Sequence, residues 1–240
     1  MTISAENPTK EEGIWILGYG SLIYKPPPHY TQRIPVTIHG YMRRFWQSSI
    51  DHRGTPEKPG RVVTLIPYEE ILSIPEFLED LQLYSHDFES IKCPHDLTTF
   101  GVVYYIPPEH ANEVKEYLDI REQNGYTLHE VEVHLNTNDE HELLLKDSLE
   151  LLPVHERTGK RVLKTSVYIG TVSNEAFVGP EKIEDTAKVI ATSHGPSGPN
   201  VEYLKLLHQS IEEMLWDEHD AVPDLYLLKL LHHVDKMLQS

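Results

Sequence analysis

Apolar positions recur along this chain with two different periods, and the places where the period changes mark its elements. Ile14-Trp15-Ile16-Leu17 is a continuous apolar run with an aromatic and two β-branched residues, the pattern of a short strand buried on both faces. Strand character returns at 36–39, 61–66, 100–106, 128–135 and 161–169. Part of it is strict alternation, with Val131 and Val133 set against Glu130 and Glu132. A helical period governs 109–122, 183–192, 201–216 and 223–238. In 201–216, Leu204, Leu207, Ile211 and Leu215 make one core stripe. Strands joined both by short turns and by helices do not fit a regular doubly wound sheet and predict an α+β fold.

Two acidic stretches interrupt this order. Residues 68–98 carry Ile71, Leu72, Ile74, Phe77, Leu78 and Leu81 at near-helical spacing, which predicts a short helix lying on the body. Residues 136–158 read as a second surface addition. Residues 1–12 are polar and acidic and read as a flexible tail without the apolar core of a signal peptide. The remaining 13–240 read as one domain, which a chain of 240 residues with 39% hydrophobic content can fill with a single core.

Charge narrows the partners. A formal net charge of −17 speaks against nucleic acid or an anionic membrane as the natural surface, and no protein partner is predicted. The stretch 30–61 nevertheless is net +4, through Arg33, Arg43, Arg44, Arg53, Lys58 and Arg61 against Asp51 and Glu57. Such a wall could capture a substrate carboxylate, or its arginines could simply pair with the abundant surface acids. Cys93 is the only cysteine, so there is no intrachain disulfide, and the expectation is a reducing, cytoplasmic setting with nuclear presence left open. The fifteen histidines are scattered. His141-Glu142 lacks a second histidine at helical spacing and His232-His233 face apart, so no metal site and no cofactor are predicted.

Two features could carry chemistry. The first strand runs into Gly18-Tyr19-Gly20-Ser21-Leu22, where the glycines free the backbone either for an ordinary tight turn or for a concave set of N–H donors suited to a carboxylate or oxyanion. The second is Glu122. Pro107-Pro108 before the helix and Gly125 after it punctuate 109–122, and the stripe of Ala111, Val114 and Leu118 continues by one step of four onto Glu122. A carboxyl on an inward stripe at a helix C-terminus should have a raised pKa, useful for proton transfer; the alternative is a pair with Arg121 or another arginine. Ser21 has no G-x-S-x-G surroundings and reads as a hydrogen-bonding hydroxyl rather than a nucleophile. In Gly195-Pro196-Ser197-Gly198-Pro199-Asn200, Asn200 is placed to cap the helix beginning near Val201, and the loop could instead border a pocket.

Taken together, Gly18-Tyr19-Gly20-Ser21-Leu22, Arg43-Arg44-Phe45-Trp46-Gln47, Asp51-His52-Arg53-Gly54, Pro59-Gly60-Arg61-Val62-Val63-Thr64-Leu65, Tyr117-Leu118-Asp119-Ile120-Arg121-Glu122, Tyr168-Ile169-Gly170, Gly195-Pro196-Ser197-Gly198 and Asn200 with Glu202-Tyr203-Leu204 resemble the ChaC-like γ-glutamylcyclotransferases, in order and over most of the chain. The likeness is to a fungal-type member with two insertions. It implies a small mixed barrel-like sheet flanked by helices, with the pocket at its open end. It also implies an enzyme, a carbon–nitrogen lyase of the amidine-lyase class, that converts glutathione to 5-oxoproline and Cys-Gly. By position, the loop of Ile16, Leu17, Gly18, Tyr19, Gly20 and Ser21 would hold the γ-glutamyl end and Glu122 would be the catalytic base. Two other readings stay open: a cyclotransferase for other γ-glutamyl amines or amino acids, and a non-catalytic γ-glutamyl-binding sensor.

Overall fold

The computed structural model describes residues 13–122, 124–215 and 222–239. The expected N-terminal tail lies outside them, as does Trp216 at the end of one predicted helix. In chain order the elements are strands β1 (Ile14–Gly18), β2 (Gln32–His39), β3 (Tyr41–Ser49) and β4 (Gly60–Pro67), helices α1 (Tyr68–Ser73) and α2 (Pro75–Tyr84), strand β5 (Thr98–Ile106), helix α3 (Pro108–Arg121), strand β6 (Thr127–Leu135), helices α4 (Asp139–Leu144) and α5 (Lys146–Leu149), strand β7 (Val162–Ile169), helix α6 (Ile183–Thr192), the two-residue strands β8 (His194–Gly195) and β9 (Gly198–Pro199), and helices α7 (Asn200–Leu215) and α8 (Leu225–Leu238).

Five strands close into a barrel in the order β1-β5-β2-β6-β7. All neighbours are antiparallel except β1 and β7, which run parallel where Ile16 meets Ser166 and so close the ring. Period-two burial does the closing: Ile34, Val36 and Ile38 of β2 and Val131, Val133 and Leu135 of β6 are buried, while Glu130 and Glu132 face out. The same core continues into α3 through Val114 and Leu118, into α6 through Ala187 and Ile190, and into α7 and α8 through Leu204, Leu207, Leu230 and Val234. This is the α+β organisation expected from the pattern of residues, in the form of the mixed barrel flanked by helices that the resemblance implies.

The β3–β4 hairpin stands apart from the barrel as a two-stranded sheet. Alternation does not announce β3, because Arg43-Arg44 interrupt its apolar run and a bulge lies between Arg44 and Gln47. Both arginines are buried nonetheless. Arg44 pairs with Asp80 of α2 and stacks its guanidinium over the Tyr226 ring at 4.5 Å. Around that pair Met42, Trp46, Ile66, Tyr68, Ile71, Phe77, Leu81 and Leu97 form a second core, with the Trp46 and Phe77 rings 4.9 Å apart. The single helix expected in 68–98 is therefore two, α1 and α2, broken at Ile74-Pro75, and they roof the hairpin.

Because Arg44 and Asp80 are each nearly inaccessible to solvent, removing one partner strands the other charge. Asp80→Ala should cost about 3–5 kcal/mol in a denaturant melt, whereas the paired change Arg44→Met with Asp80→Leu should recover most of that loss.

Candidate active site

A cavity of about 370 Å³ opens where β1, β7, the start of β6 and the end of α3 come together. Its position follows from chain ends. Strand β1 stops at Gly18, and the chain turns at once through a 3₁₀ turn, Ser21–Ile23, whose backbone is held from the barrel by the Tyr104 hydroxyl donating to the Leu22 carbonyl at 2.8 Å. Arg43 Nη1 donates to the Tyr19 carbonyl at 3.0 Å and to the Phe100 carbonyl at 2.9 Å, fixing the loop from below. Neither Gly18 nor Gly20 adopts a positive φ, so the left-handed freedom allowed by the sequence is not what they supply. Space is. A Cβ on Gly20 would come within 2.9 Å of both the Tyr203 hydroxyl and Val63 Cγ2, and one on Gly18 within 2.6 Å of Leu22 Cβ.

Helix α3 delivers the carboxyl. Proline at its first position and buried Ala111, Val114 and Leu118 fix its axis against the core, and it ends with Glu122 at the C-cap, the Glu122 N–H donating to the Leu118 carbonyl at 2.8 Å. The Glu122 side chain retains 18% exposure and lines the cavity. Burial raises its pKa above the ordinary glutamate value, reinforced by the charge of Asp51 and opposed by Arg121 and His52. Arg121 Nε lies 3.8 Å from Glu122 Oε1, so the structural pairing considered for this residue exists but is loose. The same guanidinium donates to Ser21 Oγ at 2.8 Å and to the Lys25 carbonyl at 3.1 Å. One arginine thus ties the glycine loop to the carboxyl about a hundred residues away.

Of the loop residues predicted to hold substrate, Leu17, Tyr19, Gly20 and Ser21 line the cavity. Ile16 and Gly18 lie one layer back, Ile16 in the barrel core and Gly18 against Leu22. The remaining wall is aromatic. Tyr24, Tyr126, Tyr168 and Tyr203 surround the space with Tyr19. Burial first, and for Tyr19, Tyr126, Tyr168 and Tyr203 also the charge of Glu122, keeps these phenols neutral, with Tyr24 raised to about 12. Two polar atoms of this wall, Tyr24 Oη and Asp51 Oδ1, are buried without a protein partner. The sequence reading assigned roles to neither residue nor to Tyr126 and Tyr203. The signal was there for Asp51 and Tyr203, which sit inside motifs already picked out.

The positive stretch 30–61 spends its charge on the protein. Arg43 reaches Asp224, Arg44 Asp80, Arg53 Glu202 and Arg61 Glu181; of these only Arg53 borders the cavity. Asn200 does not cap a helix from outside. It is the first residue of α7 and is fully buried, its side chain accepting from the Arg61 N–H at 2.6 Å and donating to the Arg61 carbonyl at 2.8 Å, the two ends of a strand-like pairing. The loop before it does reach the cavity through Ser197, whose hydroxyl is 3.1 Å from His52 Nδ1.

A profile of the family described as "ChaC-like protein" matches residues 14–237. The chain belongs to the ChaC-like family. A relative from Saccharomyces cerevisiae, named glutathione-specific γ-glutamylcyclotransferase, is 65% identical over 93% of this chain and 97% of its own length. One of the same name from Schizosaccharomyces pombe is 38% identical over 96% of each chain. A crystal structure of a yeast γ-glutamyl cyclotransferase specific to glutathione superposes with a TM-score of 0.89 at 63% identity, covering 94% of this chain and 96% of the other. The ChaC-like barrel is therefore the fold of this chain, and its opening is where Glu122 lies.

Two outcomes follow from the geometry. Gly20→Val, whose side chain must displace Tyr203 or Val63, should lose most activity while far-UV circular dichroism stays native; a folded, fully active variant would reduce the glycine to a turn residue. Glu122 binds its proton more tightly folded than unfolded, so its contribution to stability is complete below the ordinary glutamate pKa and is lost as pH rises through the raised folded value. Glu122→Gln should accordingly melt higher than the parent at pH 7 and no higher at pH 4.

Proposed function

We propose that this chain is a glutathione-specific γ-glutamylcyclotransferase, a lyase releasing 5-oxoproline and Cys-Gly, with Glu122 as proton shuttle. The observation that carries the reading is a carboxyl of raised pKa facing an aromatic-walled cavity beside the Gly18–Ser21 loop. Cyclisation is intramolecular: the α-amine nitrogen of the glutamyl residue attacks its own γ-carbonyl carbon, a five-membered lactam C–N bond forms, and the amide bond to cysteine breaks. The protein has to fold the substrate so that amine and carbonyl meet, take one proton from the α-ammonium, hold the transient oxyanion and return a proton to the leaving nitrogen.

Glu122 in its ionised form accepts the ammonium proton, and the same oxygen passes it to the departing cysteinyl nitrogen. Its raised pKa suits both halves, because a stronger base takes the first proton more readily and the acid so formed still gives it up near neutral pH. The α-ammonium has a second acceptor in Asp51 Oδ1, which otherwise lacks a partner. Backbone N–H groups at the opening of the 3₁₀ turn and the Ser21 hydroxyl, set by Arg121, are the donors for the glutamyl head and the developing oxyanion. Lys25, exposed on the rim, offers a cation to the glycyl carboxylate where the arginines of 30–61 are already engaged. A cytoplasmic setting accords with the substrate and with free Cys93. No helix among the described residues is long and apolar enough to cross a membrane.

The test is 5-oxoproline release from glutathione, γ-glutamyl-alanine and ε-(γ-glutamyl)-lysine by the purified protein, with Glu122→Gln alongside. Glutathione should be the preferred substrate. Glu122→Gln keeps size and hydrogen bonding and should lower turnover by roughly 10²–10⁴ while calorimetry still detects glutathione binding. Preference for another γ-glutamyl compound would move the substrate assignment, and near-parental turnover by Glu122→Gln would remove it from the mechanism.

A further inference from the structure

Away from the cavity, the fold gathers histidines that the sequence scatters. His39 ends β2, His134 lies in β6, His95 sits in the 3₁₀ turn Pro94–Asp96, and His155 follows α5. His134 alternates with the barrel-facing Val133 and Leu135 and is set diagonally from His39, since its register partner is Thr37. It is buried because the turn at 94–96 and the segment at 155–158 close over it. Ring centroids are 4.0 Å apart for His39 and His95, 4.3 Å for His39 and His134, 4.7 Å for His95 and His155 and 4.6 Å for His134 and His155. One ring nitrogen from each of His39, His95 and His134 lies within 4.8 Å of the other two.

The hydrogen bonds around these rings orient them as ligands. His39 Nδ1 is 2.7 Å from the His95 carbonyl oxygen, an acceptor, so Nδ1 carries the proton and Nε2 is left with a lone pair. His134 Nδ1 is 3.1 Å from Thr158 Oγ1, and where the ring donates to that hydroxyl its Nε2 is likewise left with a lone pair. His95 Nε2 is buried with no hydrogen-bond partner, an unsatisfied polar atom in the middle of the group. A ring nitrogen fixed by a carbonyl while the other nitrogen is left free is how metal-bound imidazoles are held.

We propose that His39, His95 and His134 form a binding site for a divalent transition ion of the zinc type, with the fourth position left to water. Three imidazoles with no carboxylate among them select such an ion over magnesium or calcium. The nearby carboxylate, Asp96, is engaged by Arg157 at 2.7 Å and by the N–H groups of Lys92 and Cys93. The His39 and His95 rings are stacked with 22° between their planes, and ligands on a tetrahedral zinc stand about 3.3 Å apart, so these rings unstack and turn inward as the ion enters. Bound there, the metal would pin the 94–96 turn to strands β2 and β6. None of the four histidines lines the catalytic cavity, so the role is structural and separate from the proton transfer at Glu122.

Untagged full-length protein, stripped with a chelator and dialysed, is titrated with zinc by calorimetry and with cobalt(II) by visible absorption, and its melting temperature is recorded with and without zinc. One equivalent of zinc should bind, cobalt should give the absorption of a four-coordinate site, and zinc should raise the Tm. His95→Gln should weaken zinc binding by at least about tenfold and abolish the Tm rise, with 5-oxoproline release unchanged. His29→Gln is the control, because His29, His110 and Glu113 make the other grouping among the described residues, an exposed one. If His95→Gln does not fold, His39→Gln is read in its place. Absence of stoichiometric binding, parental affinity in His95→Gln, or loss of binding in His29→Gln would each overturn the site.

Discussion

Holding a carboxyl group out of water at the end of a helix is the constraint around which this protein is arranged. An ionised Glu122 in an aromatic pocket is unfavourable, and the surroundings reduce that cost only in part: Arg121 stands 3.8 Å away, too far for a tight ion pair, and His52 adds a weaker field. A closer partner would stabilise the fold and lower the pKa, removing the property on which the proposed proton transfer depends. Arg121 directs its strong hydrogen bonds to Ser21 and the Lys25 carbonyl instead.

The same economy explains the arginines of β3. Arg43 and Arg44 are buried, and each does structural work: Arg43 holds the carbonyls of Tyr19 and Phe100 together, and Arg44 locks the hairpin to α2 through Asp80. Arg43 therefore acts on the cavity indirectly, by fixing the backbone of the loop that forms its floor. The barrel supplies the rest of the rigidity, since β1 is paired with β7 at Ile16 and with β5 up to the point where the chain turns at Gly18. Loop, arginine and carboxyl come from three distant parts of the chain and meet because the strands between them close.

How much of this was legible in the sequence depended on whether the signal was local. The barrel strands with alternating or continuous apolar runs, and helices α3, α6, α7 and α8, follow from periodicity, and Glu122 follows from the stripe through Ala111, Val114 and Leu118. Strand β3 did not, because its two arginines look like surface charge until Asp80 and Asp224 arrive from elsewhere in the fold. Asn200 looked like a helix cap because the pairing with the Arg61 backbone is a long-range event. The histidines looked scattered for the same reason: His39, His95, His134 and His155 are unrelated by any period and converge only across the β2–β6 face.

The account rests on the state of one proton. The direct measurement is a carbon-13 NMR titration of the Glu122 side-chain carboxyl, assigned by comparison with Glu122→Gln. The midpoint should lie clearly above that of an exposed glutamate, and the resonance should shift when glutathione fills the cavity under conditions too brief or too cold for turnover. A midpoint at or below the ordinary value, with no response to glutathione, would contradict the claim that Glu122 carries the proton.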